Sequence, residues 1–197
     1  MKTALGKLGP GAVKQIRLDH THVMTTAHQY HVDTAPSRKR AIVATVCNAL
    51  EIHAELEEEI FYPALREVSS DREVLAKSVP EHDEMRRIIA RLRAMQPTDS
   101  AYDGTFMELL RVVMHHVADE ETVLLPEAER MLAHRLPEIS AQMTRRRLQL
   151  VAPKSGELAL GTVRTMPKGA MLVAAGAVLA GTLVMRRAFG RHHHYPH

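Results

Sequence analysis

The sequence predicts an all-α fold: an up-down-up-down antiparallel four-helix bundle over about residues 12–136, followed by a C-terminal helical tail. Three observations predict it. Hydrophobic residues make up 45% of the 197-residue chain, yet aromatics are only 4% and Trp is absent. The core therefore rests on Leu, Ile, Val, Ala and Met, which favours packed helices over a β-sandwich. Apolar residues recur at helical spacing in four long segments joined by short polar breaks. Finally, a His-x-x-x-Glu-Glu pattern occurs twice, each time running on to a proline: His53, Glu57, Glu58 and Pro63 return as His116, Glu120, Glu121 and Pro126.

The first helix is expected over residues 12–32, where Val13, Ile16, Val23, Met24 and Ala27 share helical spacing and His20 falls among them. Residues 33–37, with Pro36, break it. The second helix is expected over 37–68, with Ile42, Val46, Ala49, Leu50, Leu56 and Ile60 inward. Pro63 lies in its last turns, where a proline disturbs regular hydrogen bonding. Ser70 to Glu73 reads as a capping box for a third helix ending near Met95, with Pro80 as a local bend. Residues 96–100 are the next break, and a fourth helix is expected over 101–136 with Pro126 near its end. A further basic helix follows over 137–150, and residues 152–168 read as a linker from their Gly, Pro, Lys and Thr content.

Gly169 to Met185 is a run of 17 residues without charge, bracketed by Lys168 and Arg186-Arg187. At ~1.5 Å per residue it spans ~25 Å, just short of the ~30 Å of bilayer hydrocarbon. Residues 169–187 are therefore a candidate membrane anchor, with a helix packed on protein as the other reading. Charge divides the chain in the same place. Residues 1–129 hold 15 Lys/Arg against 21 Asp/Glu, and residues 130–197 hold 11 against 2, which together give the net charge of +3. The basicity belongs to the tail, so a nucleic-acid-binding reading of the whole chain is not supported. One cysteine, Cys47, excludes an intrachain disulfide and fits a reducing compartment, and residues 1–10 lack the apolar run of a secretory signal. A cytoplasmic location is expected. Cys47 itself reads as a buried small residue.

The chemistry sits in the repeat. A histidine precedes each copy, His20 by 33 residues and His82 by 34, so the halves are offset by 62 to 63 residues. His and Glu four apart share one helical face. Two such pairs and two single histidines on four helices can surround two metal ions, with Glu57 and Glu120 bridging and two imidazoles for each ion. Imidazole with carboxylate suits iron or manganese, and the absence of thiolates argues against a structural zinc site. His22, His28 and His31 compete with His20 on the first helix, and the 62-residue offset to His82 selects His20. His115 and Asp119 also stand four apart, but only Glu120 keeps the six-residue distance to proline found in the first copy. The predicted metal set is His20, His53, Glu57, His82, His116 and Glu120. Glu58 and Glu121 are expected to be outer groups, and the histidines at 192–194 and 197 receive no role.

This pattern resembles the hemerythrin-like, or HHE cation-binding, family. The matching residues are Asp19-His20, His53 to Glu58, Glu81-His82 and His116 to Glu121, each glutamate pair leading to a hydrophobic stretch and a proline. The resemblance covers about residues 12–135 and implies a left-handed four-helix bundle. It also implies a non-haem di-iron centre, oxo- or hydroxo-bridged, that meets dioxygen, hydrogen peroxide or nitric oxide, with an electron donor of unknown identity. Oxygen-carrying members place a second histidine one turn from the first on the third helix. Here Arg86 and Ser78 hold the positions four after and four before His82, and no tyrosine lies three or four residues from a proposed ligand. The expected site has an open position, which tilts the reading from oxygen carriage to peroxide turnover or sensing. A non-catalytic iron- or oxygen-binding module, or a structural metal-bound bundle tethered by its tail, are the alternatives.

Overall fold

The computed structural model describes residues 11–69 and 72–165, with side chains as far as residue 152. Helix α1 (Ala12–Ala27) is followed by α2 (Pro36–Leu56), which passes through a π-helical turn (Glu57–Phe61) into the short α3 (Tyr62–Arg66). Helix α4 (Arg72–Ala94) precedes α5 (Tyr102–Asp119), which passes through a second π-helical turn (Glu120–Leu124) into α6 (Leu125–Met131). Helix α7 (Leu136–Thr165) closes the described chain. The four long rods are α1, α2 to α3, α4, and α5 to α6, arranged up and down as short connections require. Pro36 at the first turn starts α2, where its missing N–H removes no helical bond.

Two apolar clusters fill the bundle. One gathers Ile16, Leu56, Phe61, Leu65, Leu75, Leu124 and Leu125, together with Ile139 and Met143 of α7. The other gathers Val23, Ile42, Val46, Leu50, Ile88, Ile89, Phe106 and Leu109 around the opposite end. On each rod a polar residue of the predicted set falls between its contributions to the two clusters: His20 between Ile16 and Val23, His82 between Leu75 and Met85, His116 between Val113 and Leu124. The polar layer is thus sealed above and below by hydrocarbon. Cys47 is buried in the second cluster, as its small size suggested.

Some boundaries differ from expectation. Helix α1 stops at Ala27, where Tyr30 N–H turns back to Ala27 C=O (2.9 Å). The fourth rod ends at Met131 because Leu132 leaves helical geometry and buries its side chain in the corner. Arg135 N–H then bonds Leu132 C=O (2.7 Å), and Pro137 sits in the first turn of α7. Helix α7 continues to Thr165, through much of the stretch whose composition suggested a linker. It lies against α1 and α2, joined by Gln15 Nε2 donating to Ser140 Oγ (2.7 Å) and by Arg146 forking onto Glu59 (2.6 and 2.8 Å). Among the described residues no helix is long and apolar enough to cross a membrane; the run from Gly169 to Met185 lies outside them.

Candidate metal centre

The two π-turns begin at the two glutamates of the repeat. In each, the closing N–H reaches five residues back: Tyr62 N–H to Glu57 C=O and Leu125 N–H to Glu120 C=O. The prolines supply the cause. In an α-helix the ring of Pro63 would collide with the carbonyl of Glu59, and that of Pro126 with Thr122; a widened turn relieves the contact. Widening also changes which side chains share a face. Residues five apart, which diverge on an α-helix, align on a π-turn, so Tyr62 is carried over Glu57.

All six predicted residues meet in one buried cluster. Exposure is 6% for His20, 4% for His53, 1% for His82 and His116, and zero for Glu57 and Glu120. Each imidazole turns Nε2 inward. His20 Nε2 stands 3.1 Å from Glu120 Oε2, His53 Nε2 3.1 Å from Glu57 Oε2, and His82 Nε2 3.0 Å from His116 Nε2. Glu57 Oε2 is also 3.5 Å from His82 Nε2, and Glu120 Oε2 is 3.5 Å from His116 Nε2. Two groups of donors emerge: His20, His53, Glu57 and Glu120, and Glu57, His82 and His116, with Glu57 common to both.

The outward nitrogens explain the orientation. His20 Nδ1 is 2.8 Å from Glu121 and His82 Nδ1 is 2.7 Å from Glu58. His116 Nδ1 is 2.9 Å from Glu81, and His53 Nδ1 is 3.5 Å from Asp19. A carboxylate beyond each ring selects the tautomer with Nδ1–H outside and a free Nε2 lone pair inside. The arrangement obeys the repeat: the second glutamate of each motif serves the single histidine of the other half, and the acid preceding each single histidine (Asp19, Glu81) serves the motif histidine of its own half. Glu58 and Glu121 are therefore the outer groups that the sequence suggested.

Charge shows what the cluster lacks. Burial opposes ionisation of His53, but Glu57 and Asp19 outweigh it and hold the ring well above the usual imidazole range. Burial likewise opposes a charged Glu57, and His53 and His82 outweigh it, holding the carboxyl well below its usual range. Burial and then the Glu57 and Glu120 carboxylates push the Tyr62 phenol well above its ordinary value. No Lys or Arg among the described residues pairs with Glu57 or Glu120. Two buried carboxylates without a fixed cation are costly. His53 Nε2 and Glu57 Oε1 are buried without a hydrogen-bond partner among the described residues, although His53 Nε2 lies 3.1 Å from the other oxygen of Glu57. Donors at ~2.1 Å from an ion and at right angles are ~3.0 Å apart, near the separations seen here. Nitrogen and carboxylate donors without thiolates suit iron. The residues fit a pair of iron ions.

The family model for the hemerythrin HHE cation-binding domain matches residues 11–149. The chain belongs to the hemerythrin HHE family. The matched span includes the first half of α7. A crystal structure of a hemerythrin HHE cation-binding domain-containing protein from Mycobacterium kansasii shares the fold, with a TM-score of 0.64 at 18% identity, covering 80% of this chain and 100% of that one. A Nostoc sp. protein described as a DNA nickase is 28% identical over 109 residues, which is 55% of this chain but 31% of that longer protein. The chain thus spans about a third of that relative.

One expectation for this hemerythrin-family site needs correction. No tyrosine lies three or four residues from a proposed ligand, yet Tyr62 is at the centre. It is 1% exposed, with its hydroxyl 3.0 Å from Glu57 Oε2 and 2.8 Å from Glu120 Oε1. Its ring stacks on His82 at 5.8 Å and 20°. The α-helical period hid it, because the widened turn brings the fifth residue after Glu57 onto the ligand face. A proline placed six residues after the glutamate in both copies was the available signal. Arg86, one turn after His82, faces outward and donates to Glu58 (2.8 Å) and Asp83 (2.9 Å).

Proposed function

We propose that this hemerythrin-family chain is a non-haem di-iron protein that reacts with small oxidants, with hydrogen peroxide turnover as the leading reading and sensing of dioxygen or nitric oxide as the second. The observation that carries it is the pair of fully buried glutamates ringed by four inward Nε2 atoms, with no lysine or arginine among the described residues paired to them. His20, His53, Glu57 and Glu120 would hold one ion, and Glu57, His82 and His116 the other. Bound there, two irons supply Lewis acidity and one-electron redox capacity to an oxidant.

The chain's own residues supply the rest. The two apolar clusters keep bulk water from the polar layer, so charges inside interact strongly. Tyr62 holds a phenolic proton against Glu57 and Glu120, at the centre of the donor ring. With Ser78 and Arg86 standing where a second histidine would lie one turn from His82, that hydroxyl is the added group at the donor ring, and a proton held there favours turnover over storage. A cavity of about 10 Å³ adjoins His20, His53 and His116 and is walled by Val23, Leu50, Val113 and Val117. It is the size of a single water, which leaves room beside these histidines for only a very small molecule.

The test is oxygen release from peroxide by the iron-loaded protein, compared with His116→Ala. Release by the parent and loss of at least tenfold in the variant are expected. Absence of release, together with an optical spectrum that dioxygen and nitric oxide leave unchanged, refutes both readings.

A further inference from the structure

Helix α7 lies outside the four rods, yet one of its side chains reaches the polar layer. Arg147 forks onto Asp19, with Nη1 3.0 Å from Oδ1 and Nη2 2.5 Å from Oδ2. Asp19 Oδ2 in turn faces His53 Nδ1 at 3.5 Å. Two of the other carboxylates that orient imidazoles are also steadied by arginine: Glu121 by Arg17 (3.0 Å) and Glu58 by Arg86 (2.8 Å). Those arginines stand on α1 and α4, on the same rod as the histidine served. Asp19 alone is held from an appended helix.

We propose that Arg147 is a positioning residue for the metal centre: by gripping Asp19 it keeps His53 oriented toward the ions, so α7 is a working part of the site. The inference rests on the two-ion reading above. The carboxylate it fixes has freedom to leave, since the Asp19 side chain is 19% exposed and its contact with His53 is the longest of the four. Without the fork, solvent competes for Asp19, and His53 loses the acceptor that fixes its tautomer. The two-point geometry requires a guanidinium; an ammonium can satisfy one oxygen at a time. The neighbouring Arg146 binds Glu59 on the outer face of the first π-turn, so α7 is anchored independently and does not depend on Arg147 alone.

Anaerobic equilibrium dialysis of the full chain against ferrous iron, with cobalt(II) absorption titrations alongside, tests this. Wild type is expected to take up two ions. Arg147→Ala and Asp19→Asn should each weaken one of the two by about 10–100-fold and shift the cobalt bands. Their double variant should be no weaker than either single one, as for residues acting in one chain. Arg147→Lys should regain part of the affinity, and Arg145→Ala, an exposed change on the same helix, should match wild type. Arg147→Ala equal to Arg145→Ala in affinity and spectrum overturns the inference. So does a parallel loss of both ions with loss of helical circular dichroism, which would make Arg147 a clamp on the fold. Wild type that binds no ion pair removes the metal-centre reading itself, and this inference with it.

Discussion

Replacing Tyr62 by Phe removes one hydroxyl from the middle of the centre and nothing else. That hydroxyl lies within hydrogen-bond distance of Glu57 Oε2 (3.0 Å) and Glu120 Oε1 (2.8 Å), but a phenol carries one proton, so it counts as one bond and not two. A hydrogen bond to a charged group contributes about 1.5–3 kcal/mol. The full amount applies because Tyr62 is 1% exposed and both glutamates are fully buried, which leaves no water to replace it. For a protein of this size each kcal/mol moves the melting point by about 2–4 °C, so chelator-treated Tyr62→Phe should melt about 3–12 °C below wild type. Iron neutralises the same carboxylates, so the deficit should shrink in the loaded protein. Scanning calorimetry of both proteins, with chelator and with iron, measures the four melting points. Equal melting of the two chelated proteins, or a larger deficit with iron than without, would refute the account of Tyr62 as the partner of the metal-free carboxylates.

The metal-free protein should also be more stable at pH 5.5 than at pH 8.5 in urea melts. His53 and His82 are raised above 6.5, so their contribution is fully present below that value and lost as pH rises through the folded-state values. Glu57 and Glu58 are lowered below 4.5, so theirs is present above that value and lost only as pH falls through the folded-state values. Higher stability at pH 8.5 would contradict this, and iron should invert the trend because binding expels those protons. Cys47, buried and with its thiol pushed up to about 12, should react negligibly with a thiol reagent at pH 8 until the chain is unfolded, when one thiol per chain should appear. Stoichiometric labelling of the folded protein within minutes would contradict its placement in the core.

The bundle and the gathering of the six polar residues were legible because both depend on local period and on repetition. His20 could be chosen over His22, His28 and His31 by offset alone, and its burial at 6% accords with that choice. Tyr62 was not legible by the same means. Reading by turns of 3.6 residues assigns the fifth residue after Glu57 to another face, and only the widened turn returns it. Glu81 and Asp19 were visible as neighbours of the single histidines, but their action on His116 and His53 depends on packing between rods. The hold of Arg147 on Asp19 spans 128 residues and leaves no trace in local pattern. Composition also misled: Gly and Pro suggested a linker where α7 continues to Thr165, since helix propensity is a weak prior once a helix is already under way.

Glu57 belongs to both donor groups, and this bears on how the molecule can be divided. A hairpin of α1 with α2 carries His20, His53 and Glu57; a hairpin of α4 with α5 carries His82, His116 and Glu120. Neither group of donors is complete within one hairpin. Filled, the centre is a cross-link at mid-length between two pieces of chain that also meet through the two apolar clusters and through peripheral pairs such as Lys39 with Asp103 and Arg93 with Glu51. Emptied, the same seam is held by imidazole–carboxylate contacts and the Tyr62 hydroxyl, so what joins the two hairpins at mid-length then depends on pH.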